Sequence, residues 1–301
     1  MVKRIIYGTV MIAAVAGLLA LDAWLSGQID AYAGNRPGVV GVTPLHALPL
    51  AVLLLPLLIR ATLELVTLAA AGGVAILRLT ALTGVMALGT LPFWWQFSGV
   101  PLTGGVVLAG VMVLVMVVFA EQMLLRRHLH GLPGVAATVM AIVYLGGGTA
   151  VMLQLRLEFG VAALAVFLAT VKFADIGAYF AGKAIGRHKL VPSISPGKSW
   201  EGLAGAVIFG AVMAVGGTRL LAMLPAAEAP GGMPLIAAAG FGVVMALSGQ
   251  FADLCESVLK RSAKVKDSGR AVPEFGGILD IIDSPLLAAP VGYILLTVLA
   301  R

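Results

Sequence analysis

Residues 46–71 read HALPLAVLLLPLLIRATLELVTLAAA and are followed by Gly72-Gly73. A helix needs about 20 apolar residues to cross the roughly 30 Å hydrocarbon layer of a bilayer. This stretch exceeds that length and carries only two charged side chains, Arg60 and Glu64, four residues apart, so that they share one helix face and can pair. The two glycines provide the break. The same kind of stretch recurs along the chain, near 5–21, 79–97, 101–120, 135–153, 160–180, 202–223, 234–252 and 285–300. The expected fold is therefore an all-α polytopic integral membrane protein of about nine transmembrane helices. Composition agrees: of 301 residues, 60% are hydrophobic and 11% charged, where soluble chains carry about 25% charged residues. With a mean hydropathy of +1.04, neither a soluble globule nor a disordered chain fits. The single Cys255 excludes a disulfide framework. The first apolar run, 17 residues behind Lys3 and Arg4 with a Leu-Asp-Ala ending, is longer than the apolar region of a signal peptide, about 7–15 residues, and reads as a span.

The charges set the orientation. If Lys3/Arg4 and Arg126/Arg127 both face the cytoplasm, an even number of spans separates them, which favours one long helix over 46–71. The cytoplasmic segments then hold 15 of the 20 Lys and Arg residues. Arg36, Arg156, Arg219 and Arg301 fall on the opposite face, and Lys172 lies inside a span. This predicts a cytoplasmic N-terminus and an outer C-terminus. The formal charge of +6 is spread among apolar runs. That suits a positive-inside bias better than a nucleic-acid groove, so no nucleic-acid partner is expected. The helices show no internal repeat of the kind found in many transporters.

Most of the polar chemistry lies in the C-terminal half. One segment runs from Lys172, Asp175 and Tyr179 through the loop 181–201, with Lys183, Arg187, His188, Lys189 and Ser195-Pro196-Gly197-Lys198-Ser199. The other, 253–284, contains Asp253, Glu256, Asp267, Glu274, Asp280 and Asp283, six of the 14 acids in 32 residues, among Lys260, Arg261, Lys264, Lys266 and Arg270. Carboxylates at several separations supply the oxygen ligands that Mg²⁺ prefers, and Lys side chains with Gly-flanked amides suit phosphate oxygens. Together they point to metal-assisted phosphoryl-type transfer, with a nucleoside triphosphate and an anionic lipid as plausible substrates. Taken alone, either loop also reads as solvated cytoplasmic surface, and Lys172/Asp175 as a buried ion pair. Ser195–Ser199 is not a P-loop, because the first Gly that the motif needs is absent. His46, His128, His130 and His188 have no metal-ligand spacing, Cys255 reads as a small buried side chain, and Trp94-Trp95 suits an interfacial aromatic belt.

These residues resemble the phosphatidate cytidylyltransferases, or CDP-diacylglycerol synthases. That family's signature reads Ser-x-x-Lys-Arg, four residues, Lys-Asp-x-Gly, a Pro or Gly, then His-Gly-Gly-x-x-Asp-Arg-x-Asp. Here Ser257-Val258-Leu259-Lys260-Arg261 is followed after four residues by Lys266-Asp267-Ser268-Gly269, and then by Pro273-Glu274-Phe275-Gly276-Gly277-Ile278-Leu279-Asp280-Ile281-Ile282-Asp283. Asp253-Leu254-Cys255-Glu256-Ser257 is similar to its Gly-Asp-Leu-x-Glu-Ser, with Ala252 where Gly is usual. Asp175, Ala178-Tyr179, Gly182, Gly186, Lys189-Leu190, Pro192, Ser195–Ser199 and Glu201-Gly202 resemble a second motif. The likeness covers about 175–284. Phe275 stands where the pattern has His and Ile281 where it has Arg; every carboxylate is kept.

The resemblance implies transfer of the cytidylyl group of CTP to phosphatidic acid, giving CDP-diacylglycerol and pyrophosphate. It implies Asp253 and Asp280 as leading Mg²⁺ ligands, with Glu256, Asp267 and Asp283 as further ligands, a second cation being allowed. It implies Lys198, Lys260, Arg261 and Lys266, helped by Lys189, as partners of triphosphate or lipid phosphate. Asp175, Ser195, Gly276 and Gly277 are expected at the substrate. The active site is expected on the cytoplasmic side of the C-terminal half, within a catalytic region 131–301 that follows N-terminal helices 1–130. Membrane lipids and a second copy of the chain are the other expected neighbours, and a bacterial inner membrane the expected location. The readings set against this are an ion-coupled transporter relaying through Lys172/Asp175, and another lipid phosphotransferase. Of the latter, the CDP-alcohol phosphatidyltransferase pattern is absent, since Asp283 is followed by Ser284-Pro285.

Overall fold

The computed structural model describes residues 2–34, 45–126, 131–223, 233–272 and 276–299. Arg36, Arg127, His128, His130, Pro273, Glu274, Phe275 and Arg301, which enter the sequence reading, lie outside the described residues. Among the described residues ten α-helices follow in order: α1 (Val2–Gly34), α2 (Leu48–Ala71), α3 (Arg78–Gly89), α4 (Leu91–Trp95), α5 (Gly104–Glu121), α6 (Gly131–Ala141), α7 (Gly148–Ile185), α8 (Trp200–Ala222), α9 (Leu235–Ser262) and α10 (Leu279–Leu299). An antiparallel hairpin of β1 (Lys189–Val191) and β2 (Ser195–Ser199) precedes α8. This hairpin is a small departure from the all-helical expectation.

Among the described residues, seven helical stretches are long and apolar enough to cross a membrane. Two details separate this number from the nine expected. The spans near 135–153 and 160–180 form one helical run, Gly131–Ile185, of 55 residues. It is interrupted at Gly160, whose φ of 82° and ψ of 173° are open to glycine but not to L side chains. The stretch near 79–97 is divided: α3 has 12 residues and ends at Gly89, and Pro92 sits in the first turn of α4. Twelve residues rise only about 18 Å. The break after 46–71 falls as expected, with Gly72 capping α2 and Gly73 at a φ of 81°.

By internal packing the chain forms two units, Met1–Gln154 with Ser262–Ile281, and Leu155–Arg261 with Ile282–Arg301. This division differs from a cut at residue 130, because the 262–281 segment groups with the N-terminal helices. In the first unit α3 packs on α2 and on the wider turns at 142–147. Hydroxyls buried there return to their own helix: Thr62, Thr138 and Thr149 each donate to the carbonyl four residues back at 2.7 Å. A hydroxyl with no water in reach is satisfied this way.

In the second unit α7, α8 and α9 meet through small residues. Ala174, Ala206 and Ala246 are buried together, with Ala178 and Val207 against them. α7 and α8 approach closely where Gly177 faces Gly205. A Cβ at Gly205 would lie 2.6 Å from the Gly177 carbonyl oxygen and 2.4 Å from the Ala181 Cβ. Helices that associate in lipid without a hydrophobic drive gain from such approach through dispersion and close packing. Gly205→Val should therefore force α7 and α8 apart and cost about 1–3 kcal/mol, read as a lowered midpoint of thermal unfolding of purified protein in detergent.

Candidate active site

The sequence places Asp253 to Lys260 in a cytoplasmic segment, whereas the structure continues α9 through them to Ser262. That matters for geometry, because a helix brings residues three and four apart onto one face. Asp253 and Glu256 project together, and Lys260 follows Glu256 by one turn. Asp283, on the second turn of α10, completes the group. One carboxylate oxygen from each of Asp253, Glu256 and Asp283 lies within 4.8 Å of the others. Glu256 is 1% exposed and Asp283 3%.

Two buried carboxylates beside a third repel one another, and burial removes the water that would screen them. Lysines offset much of this. The Lys260 ammonium donates to Glu256 Oε2 at 2.5 Å, one helical turn away. Lys198, at the end of the hairpin, reaches Asp253 Oδ2 at 2.8 Å and donates to the Gln250 carbonyl at 2.8 Å. Gln250 passes the connection on: its side-chain amide donates to Asp175 Oδ1 at 2.9 Å, and Lys172 lies 3.6 Å from Asp175 Oδ2. Four carboxylates against three ammonium groups leave this network formally at −1. Ser284 Oγ donates to Asp283 Oδ1 at 3.2 Å.

The hairpin that delivers Lys198 is held at its base by Glu201. That carboxylate accepts from the backbone N–H groups of Arg187 and His188 at 3.2 and 3.3 Å and lies 2.6 Å from His188 Nδ1. Ser199 caps α8, its Oγ accepting from the Gly202 N–H at 3.1 Å. Ser195 lies opposite Val191 in the ladder, and Lys189 is exposed. Arg261 Nε donates to the Ile194 carbonyl at 3.1 Å, tying the end of α9 to the hairpin turn.

The remaining expected site residues lie in the other unit. Asp280 is not in the three-carboxylate group. Its Oδ2 accepts from Ser268 N–H at 3.0 Å, Ser268 Oγ at 2.9 Å and Gly277 N–H at 2.7 Å. Lys266 and Asp267 are exposed, and Gly276 pairs back to back with Val272 through backbone bonds of 2.9 and 3.0 Å. The expected pairing of Arg60 with Glu64 is present at 3.4 Å. Sequence reasoning missed Gln250 and the contacts Glu64 makes beyond Arg60. The readable signal for Gln250 was an uncharged polar residue three before Asp253 in an apolar helix. For Glu64 it was an acid inside a long apolar helix.

The donor set fits a hard divalent cation. Three carboxylates converge, two of them buried. The model of the cytidylyltransferase family matches residues 37–299. The chain belongs to the cytidylyltransferase family. Individual relatives agree with this membership. A phosphatidate cytidylyltransferase of Brucella suis is 40% identical over 136 residues, 45% of this chain and 47% of that protein. The Bacillus subtilis phosphatidate cytidylyltransferase is 37% identical over 159 residues, 52% of this chain and 56% of that protein. That of Mycobacterium bovis is 38% identical over 126 residues, 42% and 38% respectively. The chain thus spans about half the length, or less, of the curated relatives it matches.

In this family member the Glu256–Lys260 pair is a buried ion pair within one helix, so removing one partner takes that compensation from the other. Lys260→Met should destabilise the protein by about 3 kcal/mol, while Glu256→Met/Lys260→Met should recover most of the loss. A double-mutant cycle on the unfolding midpoint checks this.

Proposed function

We propose that this chain transfers the cytidylyl group of CTP to phosphatidic acid, giving CDP-diacylglycerol and pyrophosphate, a step of phospholipid biosynthesis. Family membership and the names of the relatives support the reaction class and the substrates. The observation that carries the reading is the convergence of Asp253, Glu256 and Asp283 to within 4.8 Å of one another beside Lys198 and Lys260.

Asp253, Glu256 and Asp283 would hold a divalent cation, Mg²⁺ in this reading; Asp280 and Asp267 keep the cation-binding role that the resemblance gives them. When bound, the cation supplies neutralisation of the triphosphate charge. Lys198, tethered by Asp253 and the Gln250 carbonyl, and Lys260, tethered by Glu256, are kept beside the carboxylates, where their ammonium groups can turn to phosphate oxygens. Arg261, Lys266 and Lys189 add further positive charge, and Asp175 with Ser195 borders the substrate. A phosphatidate phosphate is ionised at neutral pH and needs no protein base. Its oxygen attacks the α-phosphorus of CTP. The new P–O bond forms as the bond from the α-phosphorus to the β-bridging oxygen breaks, and pyrophosphate leaves with that electron pair. The side chains therefore act by positioning and charge neutralisation. Nine spans with the N-terminus in the cytoplasm, counted by dividing Gly131–Ile185 at Gly160 and including the α3–α4 stretch, would put this chemistry on the cytoplasmic face of a bacterial inner membrane. A homodimer and a second cation belong to the same proposal.

The test is pyrophosphate release by purified protein given CTP, phosphatidate and Mg²⁺. Release should require both the lipid and the divalent cation. Asp253→Asn, Asp283→Asn and Asp280→Asn should each lower turnover by at least about 100-fold. Turnover that persists after chelation of divalent cations, or release of pyrophosphate without lipid, would overturn the reading, and near-normal activity of Asp280→Asn would remove that residue from it.

A further inference from the structure

Glu64 is an acid in the middle of an apolar helix and is 5% exposed. Its pairing with Arg60 explains one of its oxygens: Arg60 Nε lies 3.4 Å from Oε1. The other oxygen points to residues more than 200 positions away. Oε2 accepts from the Leu279 N–H at 2.9 Å and lies 3.4 Å from Ser268 Oγ. Leu279 is the first residue of α10, and the residue before it, at the cap position, is Ile278. A helix start leaves N–H groups without partners, and an isoleucine side chain has no oxygen to offer them. Glu64 supplies the missing acceptor from another helix, and its negative charge sits at the positive end of the α10 dipole.

The same carboxylate shapes the loop before α10. A Cβ at Gly269 would lie 2.7 Å from Glu64 Oε1, and one at Gly277 would come within bonding-like range of Glu64 Oε2 and Ser268 Oγ. The backbone at both positions rests against Glu64 with no room for a side chain. Ser268 has one hydroxyl proton and two carboxylate neighbours, Asp280 Oδ2 at 2.9 Å and Glu64 Oε2 at 3.4 Å. The nearer takes it. Asp280 also accepts from Gly277 and Ser268 N–H groups, so both acids engage Ser268 and the backbone that leads into α10.

We propose that Glu64 is a positioning residue for cytidylyl transfer. It holds Ser268, the backbone at Gly269 and Gly277, and the first turn of α10, and through them the Asp280 carboxylate. The inference rests on the proposed reaction for its catalytic consequence. The contacts themselves stand on the geometry.

The test compares wild type, Glu64→Gln, Glu64→Ala and Thr138→Ala. Thr138 is a control of equal burial in the same unit, accepting from the Leu77 N–H at 3.0 Å. Three readouts are taken: cleavage by trypsin after Lys264, Lys266 and Arg270, Mn²⁺ binding followed by electron paramagnetic resonance, and steady-state turnover of CTP with phosphatidate. Glu64→Gln keeps the shape of the side chain and loses its charge, so it decides the matter even if Glu64→Ala does not fold. In Glu64→Gln, cleavage should rise about 10-fold. Its Mn²⁺ half-saturation should rise, and its kcat should fall, by about 10–100-fold. The KM for CTP should move by less than about 3-fold. Thr138→Ala should change neither the cleavage rate nor the Mn²⁺ half-saturation. A purely structural role for Glu64 lowers the number of binding-competent molecules and leaves the half-saturation where it is, which overturns the proposal. So does a Glu64→Gln protein with wild-type cleavage and turnover. If wild-type protein fails to turn over CTP with phosphatidate, the proposed reaction falls, while cleavage and Mn²⁺ binding still decide what Glu64 does.

Discussion

Carboxylates buried in a chain that has few charges to spare set the terms for the rest of this structure. An ionised acid removed from water must find an opposite charge, a set of donors or a cation. The chain has 14 acids in 301 residues, and three of those that are almost fully buried are Glu64, Glu256 and Asp283. Each is answered differently. Glu256 has a lysine one turn along its own helix. Glu64 has an arginine one turn back and the backbone N–H of Leu279 at the start of a distant helix. Asp283 has a serine hydroxyl, two other carboxylates and the positive charge of Lys172 for neighbours. The three carboxylates that meet there form a donor set that fits a cation.

The secondary structure follows from the need to deliver those partners. Lys198 reaches Asp253 because β2 runs up to α8 and stops there, capped by Ser199 and fastened at its base by Glu201. Gln250 reaches Asp175 because α7 and α9 each pack closely on α8 through alanine and glycine. Bulky residues along those faces would hold the helices farther apart, beyond the reach of a single amide. The small-residue packing is thus part of the site, although none of those glycines and alanines carries a reactive group.

A good deal of this was legible in the residues. The apolar stretches located most helices, and Gly72-Gly73 marked the end of α2. The i,i+4 spacing of Arg60 and Glu64 and the i,i+3 spacing of Lys172 and Asp175 both became ion pairs. The motif residues 253–283 pointed to the acids that converge. What the residues did not reveal was where helix stops and loop begins around Asp253. The Asp253–Lys260 stretch is polar enough to read as a loop, yet its polar side chains satisfy one another along one helical face. The division of the Asp280 and Asp283 environments was equally hidden. Two acids three residues apart look equivalent in a sequence, and only the positions of Ser268 and Gly277 distinguish them.

The sequence by itself determined the apolar helices long enough to cross a membrane and marked the acid-rich stretch 253–283, because hydropathy and spacing are local properties carried by neighbouring residues. Tertiary structure alone decided how those acids are used. Glu64 and Leu279 stand 215 positions apart, and no periodicity links them. Whether a carboxylate caps a helix, pairs with a lysine or awaits a cation depends on which backbone donors and side chains folding brings within about 3 Å of it.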